Sequence, residues 1–98
     1  MRVGVFLLEP RKRRLHAADR VAPLSPMECA VLETLMSAAG DLLERHDLVQ
    51  AVAERTGRTI SDACLNVYVH GLRRKIETDP AHPRHLITVI GRGYFFQA

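Results

Sequence analysis

Four apolar residues, Leu65, Val69, Leu72 and Ile76, follow one another at spacings of four, three and four. At 100° per residue they fall within about 60° of arc, which is one buried stripe on an α-helix. A strand would send alternate residues to opposite faces and cannot gather this spacing on one side. Ser61 stands where an N-cap is needed. Asp79-Pro80 and His82-Pro83 stop the helix, because proline lacks an amide N–H and restrains its predecessor. A helix is therefore expected over about residues 61–78. Beyond it, two β-prone runs, 86–90 and 94–97, flank Gly91-Arg92-Gly93, the pattern of a β-hairpin.

The rest of the chain is read outward from this unit. Ser25-Pro26-Met27-Glu28 is a capping box with proline at the first helical position. Cys29, Leu32, Leu35 and Met36 recur on one face behind it, and Gly40 is the expected end, giving a helix over about 26–39. Leu42 and Leu43 read as an extended link. A second helix is expected over about 45–54, with Leu48, Val49 and Val52 inward, followed by a loop through residues 55–59. The N-terminal residues 1–24 read as short antiparallel strands: one continuous strand through residues 3–8, a break at Glu9-Pro10, then runs at 15–17 and 21–22. The fold class expected is α+β: an N-terminal antiparallel sheet, three helices and a C-terminal hairpin in one domain spanning residues 1–98.

The chain has 98 residues, enough for one hydrophobic core. No apolar run approaches the ~20 residues of a membrane span, so no membrane partner is expected. The first eight residues are too short and too soon followed by charge to be a signal peptide, and a cytoplasmic location is expected. The two cysteines, Cys29 and Cys64, fall at apolar helix positions and read as reduced core residues. The five histidines are scattered without the spacing of a zinc site, so no metal or cofactor is expected. No nucleophile–base arrangement and no phosphate loop is present to suggest an enzyme.

The net charge of +3 is unevenly spread. Residues 1–24 carry six basic and two acidic side chains, residues 25–60 three and six, and residues 61–98 five and three. Basic ends around an acidic middle suit a polyanionic partner. The run Arg11 to Arg14 reads either as a solvated turn or as a phosphate-facing edge. On the third helix, Ala63, Val67, His70 and Arg74 lie opposite the apolar stripe. Asn66, Arg73 and Glu77 flank them on one side and Gly71 on the other. Small and apolar residues come early and Arg73, Arg74 and Lys75 come late. Such a face suits the major groove: apolar groups meet thymine methyls, Asn66 can pair with adenine, and arginine with guanine or phosphate. The same pattern also fits an ordinary amphipathic helix whose basic end complements its dipole. Thr88 and Arg92, on and at the tip of the hairpin, read either as a second point of contact or as part of a plain solvent-exposed turn.

The segments LSPMECAVLETLMSAAGDLL, LNVYVHGLRRKIETDP and HPRHLITVIGRGYFF together resemble the effector domain of OmpR/PhoB-type response regulators, over nearly the whole chain. The resemblance implies a winged helix-turn-helix that binds double-stranded promoter DNA, with the third helix in the major groove and the hairpin as a wing in the adjacent minor groove. It implies DNA contacts from Asn66, Val67, Tyr68, His70, Arg73, Arg74 and Lys75 on the helix, and from Thr88 and Arg92 on the wing. The segment of about 53–60 resembles the loop that can contact RNA polymerase, which singles out Glu54, Arg55 and Arg58. A homodimer on a direct or inverted repeat is also expected, since one such module makes only a modest interface. Family members usually place the domain after a phosphorylatable receiver, so the chain reads as the output part of such a regulator or as a stand-alone relative. Ala63, Gly71 and Ile90 stand where arginines are usual, Ala53 where tryptophan is common, and Glu44 where a capping serine is usual. Fewer arginines imply weaker non-specific binding and a shallower salt dependence. They also leave open a winged helix that works as a protein-interaction module.

Overall fold

A computed structural model describes residues 1–98. Four strands, β1 (Arg2–Val3), β2 (Phe6–Glu9), β3 (Arg14–Ala17) and β4 (Arg20–Pro23), form an antiparallel sheet in chain order. Helices α1 (Pro26–Ser37), α2 (Arg45–Thr56) and α3 (Asp62–Ile76) follow. A second antiparallel sheet has the order β5-β7-β6, from β5 (Leu43–Glu44), β6 (Leu86–Val89) and β7 (Gly93–Phe96). The order of strands, three helices and hairpin is the one the residue pattern predicts.

The differences have local causes. Residues 3–8 are not one strand: Gly4 takes a left-handed φ of 57°, and the chain folds back there, pairing Val3 with Phe6. Leu43 is not a mere link, since it pairs with Tyr94 and makes β5 the outer strand of the wing sheet. The first helix ends at Ser37, ahead of Gly40, whose N–H donates to the Phe96 carbonyl at 2.7 Å. The second helix runs further than expected and takes in Arg55 and Thr56, leaving residues 57–61 as the connector to α3. The third helix stops at Ile76.

The capping box of α1 forms in full. The Glu28 N–H donates to Ser25 Oγ at 3.1 Å, and the Ser25 N–H to Glu28 Oε1 at 2.9 Å. Helix α1 is buried well beyond its expected face, because it packs against α2, α3 and β7. Its Val31, Leu32 and Leu35 join Leu48 and Val52 of α2 and all four stripe residues of α3 in a single core. Each fully buried side chain of this size contributes about 1.5–3 kcal/mol before entropy costs. Phe6 joins the two sheets, meeting Phe96 edge-on at 5.4 Å between ring centres and His85 at 4.7 Å. The wing is thereby fixed to the N-terminal sheet as well as to the helices. Val49 is only half-buried, and Cys64, expected inside, is exposed one position off the stripe, while Cys29 is buried as expected.

Candidate nucleic-acid interface

The stripe of α3 is turned fully inward, with Leu65, Val69, Leu72 and Ile76 at 4 % exposure or less. That fixes which side chains face out: Ala63, Asn66, Val67, His70 and Arg74 are exposed. Val67 is 66 % exposed, a large apolar residue left in water. Tyr68 is half-buried and packs on the core. Arg74 and His70 have no hydrogen-bond or ion-pair partner within the chain, so both are free for an external ligand.

Arg73 joins the helix to the wing. Its Nε donates to the Leu86 carbonyl at 3.0 Å and its Nη2 to Thr88 Oγ1. These acceptors are neutral, so Arg73 keeps its full charge at the seam between α3 and β6. Two residues expected at the interface, Arg73 and Thr88, are thus brought together. The Leu86 N–H is held in turn by Glu77 Oε2 at 2.8 Å, so both polar groups of this buried residue are bound by side chains from the end of α3. Glu77 was expected on the exposed flank of the helix. It is 2 % exposed, because the backbone leaves the helix there with φ −85° and ψ 142°. Its carboxylate also accepts the N–H groups of Arg84 at 2.8 Å and His85 at 3.0 Å.

Lys75 turns away from the exposed face. Its ammonium donates to Glu28 Oε1 at 2.7 Å and to the Pro23 carbonyl at 2.8 Å, tying α3 to the start of α1. Burial alone would raise the Glu28 carboxyl, but the hydrogen bonds from Lys75 and Ser25 outweigh it and hold the carboxyl below its ordinary value. Gly71 faces the same way: a Cβ there would lie 2.7 Å from Glu28 Oε2. The position therefore belongs to the α1 contact rather than to the open flank of the helix.

The wing turn closes with the Arg92 N–H donating to the Val89 carbonyl at 3.0 Å, and Gly91 supplies a φ of 78°. Gly93 serves a different need. A Cβ there would lie 2.0 Å from the Leu43 carbonyl oxygen, so only glycine lets β7 approach β5. Its close approach is to the chain itself, not to an outside surface. Arg92 reaches back to Glu44 Oε1 at 2.9 Å. Glu44 makes no side-chain cap on α2 and holds the wing tip instead. Ile90 beside it is 92 % exposed.

Sequence reasoning missed Arg45, the first residue of α2. Its Nη1 donates to the Tyr94 hydroxyl at 2.7 Å and its Nη2 to Asn66 Oδ1 at 2.9 Å and the Asp62 carbonyl at 3.0 Å. Its own N–H donates to the Arg92 carbonyl at 3.1 Å, and its guanidinium lies 5.5 Å from the centre of the Tyr94 ring. The Tyr94 hydroxyl completes a triangle by donating to Asn66 Oδ1 at 3.2 Å. The only sequence signal was Tyr94 itself, since a buried tyrosine hydroxyl needs a partner. Of the other expected residues, Glu54 and Arg58 are exposed, and Arg55 pairs with Glu33 of α1 at 3.2 Å. Arg11 and Arg13 lie in the turn between β2 and β3, and Arg14 and Lys12 pair with Glu9. No group of three or more potential metal ligands is gathered anywhere, and no helix is long and apolar enough to cross a membrane.

Residues 19–96 match the family model described as "Transcriptional regulatory protein, C terminal". The probable transcriptional regulator ycf27 of Porphyra purpurea is 32% identical over 96 residues, covering 97% of this chain and 40% of that protein. The chain thus spans less than half the length of such relatives. Among solved structures, the C-terminal domain of the nisin resistance regulator NsrR, a lantibiotic response regulator, superposes with a TM-score of 0.84 at 29% identity, over 97% of this chain and 93% of that one. The DNA-binding domain of E. coli CadC superposes with a TM-score of 0.81 at 25% identity, over 98% and 89%. The inward stripe of α3, the wing clasped to its end and these matches together make the chain a member of the transcriptional regulatory protein C-terminal family, a winged-helix domain of the OmpR/PhoB type.

Proposed function

We propose that this domain binds double-stranded DNA sequence-specifically in transcriptional regulation, as the output domain of a two-component response regulator or as a stand-alone relative. The observation that carries the reading is the outward face of α3, with Asn66, Val67, His70 and Arg74 exposed beside a wing held to the helix by Arg73 and Thr88. In this reading Asn66, Val67, His70 and the edge of Tyr68 meet bases in the major groove. Arg73 and Arg74 hold phosphates, and Thr88 and Arg92 meet the adjacent strand. Lys75 is spent on Glu28 and is left out of the contact set. Two copies on repeated half-sites supply the affinity that one small module lacks. Glu54, Arg55 and Arg58, around the connector 57–61, form the face offered to RNA polymerase. The reading requires no catalytic group and no cofactor, and it places the protein in the cytoplasm.

Selection of binding sites from random duplexes at two salt concentrations tests it. Enrichment of one short motif, with sub-micromolar and salt-sensitive affinity, is expected. No gain over random DNA at low salt refutes it. The exposed apolar side chains of Val67 and Ile90 favour a second reading, a protein-interaction module. A stable complex with another protein and no shift of any duplex would select that one.

A further inference from the structure

We infer that Asn66 reads guanine rather than adenine, because Arg45 and Tyr94 occupy its carbonyl oxygen. The inference rests on the DNA-binding reading above and concerns the same face. Asparagine recognises adenine by accepting from N6–H and donating to N7, which needs its oxygen and its nitrogen together. Here Asn66 Oδ1 already accepts from Arg45 Nη2 at 2.9 Å and from the Tyr94 hydroxyl at 3.2 Å. An amide oxygen has two lone pairs, and both are taken. The orientation of the amide follows from chemistry: a guanidinium only donates, so the atom facing it must be the oxygen. The Tyr94 hydroxyl accepts from Arg45 Nη1 at 2.7 Å, which leaves its proton to donate to Asn66.

Asn66 Nδ2 has no partner in the chain, and the residue is exposed. The side chain therefore offers the groove two N–H donors and no acceptor. Guanine, with N7 and O6 side by side, is the base whose major-groove edge presents two neighbouring acceptors. Adenine presents one acceptor next to a donor, and its N6–H would be left facing N–H. Arg45 and Tyr94 are positioning residues in this scheme. Arg45 is itself held by the Asp62 carbonyl and by Asp62 Oδ1 at 3.5 Å, so the triangle is anchored on α2, α3 and the wing at once.

The test begins with the selected site. The base pair read by Asn66 is the one whose identity ceases to matter in Asn66→Ala. At that pair, affinities for all four base pairs, and for guanine against 7-deazaguanine, are measured with the parent protein, Tyr94→Phe and Arg45→Met. The expected result is guanine preferred over adenine by roughly 5- to 100-fold, with that preference reduced by 7-deazaguanine. Tyr94→Phe removes only a hydroxyl, and both variants free a lone pair on Asn66, so each moves the ratio toward adenine. Circular dichroism melts confirm that both are folded. Adenine preferred by the parent protein, no position relaxed by Asn66→Ala, or an unchanged ratio in both folded variants overturns the inference while DNA binding stands. Absence of binding to any duplex removes the DNA-binding reading and this inference with it.

Discussion

Replacing Glu77 should cost more stability than any substitution on the exposed face of α3. Its carboxylate is 2 % exposed and accepts the N–H groups of Arg84, His85 and Leu86. In Glu77→Ala the Leu86 amide loses its partner inside the core. An orphaned buried donor costs about 1–3 kcal/mol. The Arg84 and His85 amides are only part-buried, and water can replace the carboxylate, at a loss of about 0.5–1 kcal/mol each. The sum is about 3 kcal/mol. Glu77→Gln keeps the shape and one oxygen. If that oxygen faces Leu86, the new NH2 opposes the Arg84 amide, and if it faces Arg84 it opposes Leu86. A cost of about 1–2 kcal/mol follows. Urea unfolding followed by circular dichroism reads these as shifts in midpoint at constant slope. In thermal melts Glu77→Ala should fall by about 12–24 °C, at 4–8 °C per kcal/mol for a domain of this size. A Gln variant within about 0.5 kcal/mol of the parent would refute the reasoning, since a side chain needed only for packing tolerates an isostere.

Glu28→Gln should destabilise the domain by about 1 kcal/mol at neutral pH, because it removes a charge-assisted bond from Lys75 across two largely shielded groups. The folded carboxyl is depressed, so its contribution is present above the unfolded value and is lost as the pH falls through the folded one. Denaturation midpoints of parent and variant should therefore converge in acid below the ordinary glutamate range, and a gap that persists there would contradict the ion pair as its source. Gly93→Ala should cost about 2–4 kcal/mol, since its Cβ meets the Leu43 carbonyl at 2.0 Å and the β5–β7 pairing must open. Hydrogen exchange should then lose protection at Tyr94, and unaltered protection would count against the close approach. Ile90→Arg should steepen the dependence of log K on log salt by about one, and Arg74→Ala should flatten it by about one. Titrations at several salt concentrations check both, and two unchanged slopes would remove the wing tip and the late helix from the phosphate contacts.

The parts of the fold legible in the sequence are those governed by near neighbours along the chain. The Ser25–Glu28 box, the proline behind it, the stripe of α3 and the glycine turn of the wing each involve residues within a few positions of one another. The misreadings also follow a rule. Gly4 sits inside an apolar run, and its role is a turn that only the pairing of Val3 with Phe6 reveals. Leu43 belongs to a two-residue strand, too short for any periodicity to show. Glu77 continued the helical pattern by spacing, yet the chain leaves the helix just before it and turns it inward. The polar triangle joins residues 21 and 28 positions apart in sequence and depends on how α2, α3 and β7 dock. Nothing in local spacing encodes that angle, so the outward face of α3 was legible but the partners of its side chains were not.

Those partners change what the face can offer a nucleic acid. Of the cations near that face, Arg45 is drawn to Asp62 and Arg92 to Glu44, each already facing a carboxylate, while Lys75 points away from it to Glu28. A paired cation can reach a phosphate only by giving up its partner, and it releases correspondingly fewer counterions. Arg73 and Arg74 are the two that bring uncompensated charge, and Arg73 is fixed at both ends of its guanidinium by Leu86 and Thr88. Fixed side chains lose less rotamer entropy on binding. Preorganisation therefore replaces part of the charge that Ala63 and Ile90 do not provide. On the proposed reading such a face would discriminate through donors held in one geometry, of which the Asn66 amide is the best defined. On the DNA-binding reading, weak affinity for arbitrary duplex is expected, because the non-specific term scales with free cations and few remain. A reader built this way gains its selectivity by lowering background affinity, and disrupting the clasps at Glu44 or Asp62 should raise affinity for random duplex before it raises affinity for the selected site.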